Sequence, residues 1–182
     1  MVWFFYNILF VIGFTLMLPR FLLRMARRGG YAQNFEQRFG RYNELVQDQL
    51  AETRRLWVHA VSVGEVFIAL KLMQEWRKRR PNLRFVLTTT TSTGYALARR
   101  ELPTEDVLLY YPIDLPFIVR RVLEQINPKA IILVELELWP NLIRSAHLRG
   151  IPVLLANGRV SDPFVQGIPA GVVFYPTHPA VD

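Results

Sequence analysis

Three groups of residues in this sequence have types and spacings that suit chemistry. Ser62-Val-Gly-Glu65 sets a carboxylate three positions after a hydroxyl. As local structure this is a capping box: each side chain bonds the other residue's backbone N–H at the start of a helix. As chemistry, Glu65 is a carboxylate base whose ionised form is stabilised by the helix N-terminus. Both readings stand, and one side chain can serve them at different stages of a reaction. Glu135-Leu-Glu-Leu-Trp-Pro-Asn141 follows an apolar run. If the strand persists, Glu135 and Glu137 share a face, because strand side chains alternate. Two acids there are costly to bury without partners. They form either part of a site or a solvated strand end, with Arg144 and Arg159 as ion-pair partners. Thr88-Thr-Thr-Thr-Ser-Thr-Gly94 offers hydroxyls, Thr90 among them, ahead of a helix whose N-terminus could cradle phosphate. Ordinary helix capping is the simpler reading, and no Gly-Lys-Ser/Thr occurs.

The elements that must position these groups are legible as alternating apolar runs and helical patterns. Strands are expected at 56–61, 83–89, 107–110, 130–135 and 151–156. Helices are expected at 65–80, 92–100, 116–126 and 140–149. Pro81 follows the first helix, and Pro140 and Gly150 bracket the last, as helix ends prefer. Most of the strands are apolar without a two-residue alternation, which points to a parallel sheet covered on both faces. The fold class is therefore α/β: a Rossmann-like doubly wound parallel sheet. In such a sheet, ligands bind at the carboxyl ends of the strands. The segments that follow the five strands begin at Ser62, Thr88, Tyr110, Glu135 and Asn157, and their polar and acidic groups collect on one edge. His59, inside an apolar strand, reads as a satisfied core histidine. Arg77-Lys-Arg-Arg80 reads as a solvated helix end.

Composition narrows the function further. The chain has 182 residues, a net charge of +7 and no cysteine. A disulfide scaffold, a thiolate zinc site and a cysteine nucleophile are excluded. The three histidines, His59, His147 and His178, are too scattered for a histidine metal cluster. Residues 1–19 carry no charged side chain and as a helix would span about 28 Å, close to the hydrocarbon thickness of a bilayer. Arg20, Arg24, Arg27 and Arg28 follow. This predicts a membrane-anchor helix over residues 1–23, with the rest of the chain on the cytoplasmic side. A buried or interfacial N-terminal helix is the alternative. Residues 24–53 read as a basic, loosely amphipathic juxtamembrane segment, broken at Gly29–Gly30 and Gly40, that lies on lipid or packs beside the domain. The local basic excess suits an anionic membrane surface or substrate, and no nucleic-acid partner is expected.

Five blocks in order carry a resemblance: Trp57-Val-His-Ala-Val-Ser-Val-Gly-Glu65, Thr88 to Gly94, Tyr111-Pro-Ile-Asp-Leu-Pro116, Glu135 to Asn141, and Gly150-Ile-Pro-Val-Leu-Leu-Ala-Asn-Gly-Arg159. Together they resemble the amino-terminal half of the 3-deoxy-D-manno-octulosonic acid (Kdo) transferases, over roughly residues 1 to 161. The resemblance implies a GT-B glycosyltransferase with two Rossmann-like domains and a cleft between them. Its donor is CMP-Kdo, its acceptor a lipid A precursor, and its place the cytoplasmic face of the bacterial inner membrane. It implies Glu65 as proton acceptor and Glu135 as support for the transition state. Ser62, Gly64, Thr90, Glu137 and Arg159 are further candidates for binding substrate. No metal or other cofactor is expected.

The resemblance also has limits. Residues 54–161 are expected to form the acceptor-side domain. Residues 162–182, with prolines at 163, 169, 176 and 179, do not resemble the family. The CMP-binding half of the family is expected to be missing, so the chain alone is not expected to transfer sugar. Three rival readings remain. One is a non-catalytic remnant that binds lipid or a partner. Another is the acceptor half of a different membrane-anchored GT-B enzyme. A small Rossmann nucleotide-binding protein is disfavoured, because no glycine fingerprint follows the first strand.

Overall fold

The computed structural model describes residues 2–28, 34–135, 139–156 and 172–175. They fall in two compact units, Met1–Phe35 and Glu36–Asp182.

The first unit is a helix, α1 (Val2–Arg28), which runs past the expected end at residue 23 with Pro19 inside it. Its polar side chains turn back onto the helix: Asn7 Nδ2 donates to the Trp3 carbonyl at 2.8 Å, and Thr15 Oγ1 to that of Val11 at 2.7 Å. Such bonds satisfy a hydroxyl or amide on an apolar helix. Phe5, Leu9, Leu16 and Met17 are exposed. Among the described residues no helix is long and apolar enough to cross a membrane, so the expected spanning segment is not found there. The expected break at Gly29–Gly30 lies outside the described residues.

The second unit begins within a short 3-10 helix (Phe35–Phe39), followed by α2 (Glu44–Glu52). The expected break at Gly40 falls between them, at a φ of 66°. A Cβ on Gly40 would also meet Val122 Cγ2 at 2.8 Å, so both backbone and packing require glycine. The unit starts ahead of the expected residue 54, because Tyr42 and Leu50 enter its core. The buried Arg55 joins α2 to the sheet by donating to the carbonyls of Gln49 and Glu105, each at 2.6 Å.

Strands and helices then alternate: β1 (Leu56–Ala60), α3 (Val63–Arg79), β2 (Phe85–Thr89), α4 (Ser92–Glu101), β3 (Val107–Tyr110), α5 (Pro116–Ile126), β4 (Ala130–Val134), α6 (Pro140–Leu148) and β5 (Val153–Ala156). The order of these five strands in the sheet is β3-β2-β1-β4-β5, with a sixth strand beyond β5. The first five strands are parallel. This is the α/β Rossmann-like sheet that the apolar runs predict. The sixth strand, β6 (Val172–Tyr175), pairs antiparallel with β5 and was not expected in the proline-rich tail. The proline positions bar a long helix, but they leave the stretch from Gly171 to Tyr175 free of proline and rich in β-branched and aromatic residues.

Alternate residues of each strand feed two cores, one on each face. Trp57, Ile131 and Leu133 pack with α2, α5 and α6. Val58, Ala60, Leu87 and Ile132 pack with α3 and α4. Each fully buried Ile or Leu contributes about 1.5–3 kcal/mol by leaving water. At the amino ends of the strands, Arg77 donates to Asp106 at 2.6 Å and lies over the Phe85 ring at 5.1 Å. Asp106 also accepts the Phe85 N–H at 2.9 Å. Burial still pushes the Asp106 carboxyl up, against the pull of those partners. Part of the basic run at the end of α3 is thus structural, and Lys78 pairs with Glu75 at 2.6 Å.

Candidate active site

The order of the strands locates the site. From β1 the chain steps outward to β2 and β3, then returns to place β4 on the other side of β1. Where the winding reverses, helices leave the sheet on opposite faces and open a crevice at the carboxyl ends. His59 of β1 is in register with Leu133 of β4, so the segments beginning at Val61 and Glu135 leave the sheet side by side.

The β1 exit carries Glu65. Ser62 is extended, with φ −99° and ψ 169°, and caps α3 by accepting the Glu65 N–H at 3.3 Å. Glu65 closes the box: Oε2 accepts the Val61 N–H at 2.7 Å and Oε1 the Ser62 N–H at 3.2 Å. The local reading of the motif is therefore realised. Both carboxylate oxygens are fixed by backbone donors, yet each keeps an acceptor position, since a carboxylate has about four in all. Glu65 is buried, whereas Gly64 beside it is exposed, and a Cβ on Gly64 would meet nothing within 4 Å but Ser62 Oγ at 3.9 Å. Gly94 is the opposite case: its Cβ would lie 2.7 Å from Thr89 Oγ1.

The threonine run is mostly committed to structure. Thr88 Oγ1 accepts from Trp57 Nε1 at 2.9 Å. Thr89 and Thr91 donate from Oγ1 to the Val61 carbonyl at 3.2 and 3.1 Å. Thr91 also caps α4, accepting the Gly94 N–H at 3.1 Å. The phosphate cradle loses these hydroxyls to capping and packing. Thr90 differs: its Oγ1 is buried with no hydrogen-bond partner among the described residues, while its carbonyl accepts from Arg38 Nη2 at 2.7 Å.

His59 takes the core role but is satisfied on one side only, since its buried Nε2 has no hydrogen-bond partner among the described residues. Its Nδ1 lies 3.1 Å from the Thr88 carbonyl, and its ring stacks on Tyr111 at 3.8 Å. Burial lowers its pKa to about 3, so the imidazole is neutral near pH 7.

On the β4 side the structure corrects one expectation. The strand ends at Val134, and Glu135 turns into the left-handed region at φ 62°. The premise that Glu135 and Glu137 alternate along one strand therefore fails at Glu135 itself. Its N–H donates to the Ala156 carbonyl at 2.8 Å, and the residue is exposed. Among the described residues Glu135 forms no ion pair. A non-glycine residue in this region costs on the order of 1 kcal/mol or more and is found disproportionately at functional sites. Glu137 and Arg159, with the rest of the segment after β5, lie outside the described residues.

Sequence reasoning missed Asp114. It is fully buried, and its carboxylate accepts the N–H groups of Asn141 at 3.0 Å and Leu142 at 2.9 Å. Asn141 Nδ2 donates back to the Asp114 carbonyl at 2.6 Å. The loop after β3 thereby fixes the first turn of α6 and the end of the segment that begins at Glu135. A signal was present: α6 opens on Trp139-Pro140 and has no side-chain cap of its own, so its first N–H groups need an acceptor from elsewhere. Among the described residues no group of three or more His, Asp or Glu could hold a metal ion.

Known proteins are similar to most of this chain. A model of the family described as 3-deoxy-D-manno-octulosonic-acid transferase (kdotransferase) matches residues 33–170. The 3-deoxy-D-manno-octulosonic acid transferase of Haemophilus influenzae is 35% identical over 158 residues, which is 87% of this chain and 36% of that protein. The Chlamydia muridarum protein of the same name is 29% identical over 158 residues, covering 86% of this chain and 36% of its own length. A probable mitochondrial member from Arabidopsis thaliana is 37% identical over 106 residues, covering 58% of this chain and 24% of its own. The chain thus spans between about a quarter and a little over a third of the length of these relatives. Over the part it spans, it belongs to the 3-deoxy-D-manno-octulosonic-acid transferase family.

Proposed function

We propose that this chain is the acceptor-side half of a glycosyltransferase that moves Kdo from CMP-Kdo to a lipid A precursor in lipopolysaccharide synthesis. One observation carries the reading: a buried carboxylate, Glu65, is held by two backbone N–H groups at the switch point of the sheet, beside the open ground over Gly64. Held in that way, Glu65 is oriented to take the proton from the acceptor hydroxyl as its oxygen attacks the anomeric carbon. Glu135, exposed and conformationally strained on the neighbouring exit, supports the charge that develops. Ser62 orients the base by capping α3, Thr90 and Gly64 border the acceptor, and Glu137 and Arg159 are assigned to substrate binding. The donor site belongs to the part of the family's length that this chain does not span. The exposed apolar side chains of α1 and the arginines at its carboxyl-terminal end, Arg20, Arg24, Arg27 and Arg28, attach the chain to the cytoplasmic face of the inner membrane, where a phosphorylated lipid acceptor resides.

Two measurements test this. Residues 1–182 in membranes should bind labelled lipid A precursor saturably. In the whole protein, Glu65→Ala should lower transfer from CMP-Kdo by at least about 100-fold, the lower range for loss of a general base, while acceptor binding persists. Retained transfer removes Glu65 from the role of base, and absent acceptor binding removes the acceptor-side assignment.

A further inference from the structure

We infer that Arg38 is a positioning residue for Glu65, acting through the threonine turn and the Val61 peptide; the inference rests on the reading of Glu65 as the base. Arg38 lies in the 3-10 helix ahead of the sheet, in a stretch whose sequence reads as a polar juxtamembrane piece, yet it is buried. Its Nη2 donates to the Thr90 carbonyl at 2.7 Å, and its guanidinium lies 4.4 Å from the centre of the Tyr110 ring. That ring stacks in turn on Tyr95 at 4.4 Å. The backbone around Arg38 is tied to the same edge. Gln37 Oε1 accepts the Tyr110 N–H at 3.0 Å, and the Arg38 carbonyl accepts the Ile113 N–H at 2.9 Å. The cation is therefore aimed rather than free to wander.

From Thr90 the hydrogen bonds continue to the base. Thr89 and Thr91 flank Thr90, and both hydroxyls converge on the Val61 carbonyl, at 3.2 and 3.1 Å. The N–H of the same residue donates to Glu65 Oε2 at 2.7 Å, the shorter of the two bonds that fix the carboxylate. The Thr90 hydroxyl has no partner among the described residues, so this turn is held at its centre by the bond from Arg38 to the main chain. A charge-assisted bond to a partly buried carbonyl is among the stronger single constraints available to a turn. Releasing it loosens Thr90, relaxes the two hydroxyls on Val61, and widens the range of angles open to the Glu65 carboxylate.

Amide hydrogen exchange of residues 1–182, read residue by residue, tests the link without requiring activity. In Arg38→Ala the amides of Val61 and Ser62 should exchange about tenfold faster, with Val122 and Ile132 unchanged. Arg38→Lys, which keeps the cation and one donor, should recover part of the protection. Thr89→Val cuts a later link and leaves Arg38 in place, and should show the same signature if the arginine variant folds poorly. In the whole protein, Arg38→Ala should lower kcat about tenfold with the acceptor KM within twofold, and Arg38→Lys should restore part of kcat. Unchanged exchange at Val61 and Ser62 in both variants overturns the inference. So does faster exchange spread evenly through the sheet, which would make Arg38 a stability residue only. Selective loss of protection in a protein whose Glu65→Ala variant still transfers upholds the link and overturns the base instead.

Discussion

Two helices, α3 and α6, start at the carboxyl edge of the sheet on either side of the switch point, and both have their first turn closed by a carboxylate. In α3 the acid is Glu65, three residues from the cap it completes, with Ser62 as its reciprocal partner. In α6 the N-cap position holds Trp139, which supplies no side-chain bond, and the acceptor is Asp114, 27 residues upstream in another loop. One device is local and partly exposed, and the other is long-range and sealed from water. The difference separates two tasks. A local box can be loosened and remade without disturbing the rest of the fold, which suits a carboxylate that has to meet a proton. A buried carboxylate that joins two distant loops suits a part that must not move, and it sets the frame from which Trp139, Tyr111 and His59 pack together, with ring centres 3.8 to 6.0 Å apart.

The largest effect should come from breaking the distant device. Asp114→Ala leaves two first-turn N–H groups of α6 without their acceptor and should cost about 3 kcal/mol. A thermal melt should show a fall of roughly 10 °C. A loss under about 1 kcal/mol would mean that the loop is held by its apolar neighbours and that the contrast with α3 is one of distance only. The next effect concerns pH. His59, under the α6 side, has its folded pKa lowered to about 3 by burial, against about 6.5 when unfolded. The unfolded chain therefore binds the proton first as pH falls. The stability tied to the neutral imidazole is complete above about pH 6.5 and is lost toward pH 3, at about 1.4 kcal/mol per unit. Urea unfolding should show His59→Gln losing about 2 kcal/mol less than the parent between pH 6 and pH 4.5. Equal slopes would show that the imidazole reaches solvent. The smallest effect sharpens the α3 side. Gly64→Ala has room for its Cβ and should stabilise by about 0.5–1 kcal/mol, whereas Gly94→Ala, pressed against Thr89, should destabilise. The sign of the difference, read from denaturation midpoints, decides whether Gly64 is retained for packing or for the open ground beside Glu65.

What the sequence revealed follows the same division. The bounds of β3 and α5 agree with the apolar runs and with Pro116, because those signals lie within the elements themselves. The capping box was legible for the same reason. Partners remote in the chain were not. Asp114 reads as one acid in a proline-rich loop until the bare start of α6 is set beside it. Gln37 and Arg38 fall in the segment expected to lie on lipid or pack beside the domain, and only the folded sheet brings the Tyr110 N–H and the Thr90 carbonyl to them. The antiparallel β6 depends on an edge that β5 offers at a distance. Glu135 gave no hint of its left-handed backbone, for glycine or asparagine is the usual mark of such a position. The first helix was expected over residues 1–23, and α1 continues to Arg28.

That turn at Glu135 has a consequence for how such a chain would change over generations. A glutamate codon is one base away from a glycine codon, and glycine would adopt a φ of 62° without penalty. Mutation therefore has a short route to a more stable protein at this position. In a lineage where the carboxylate has no task, drift should follow that route, so the frequency of glycine at this position among relatives measures whether the carboxylate has one.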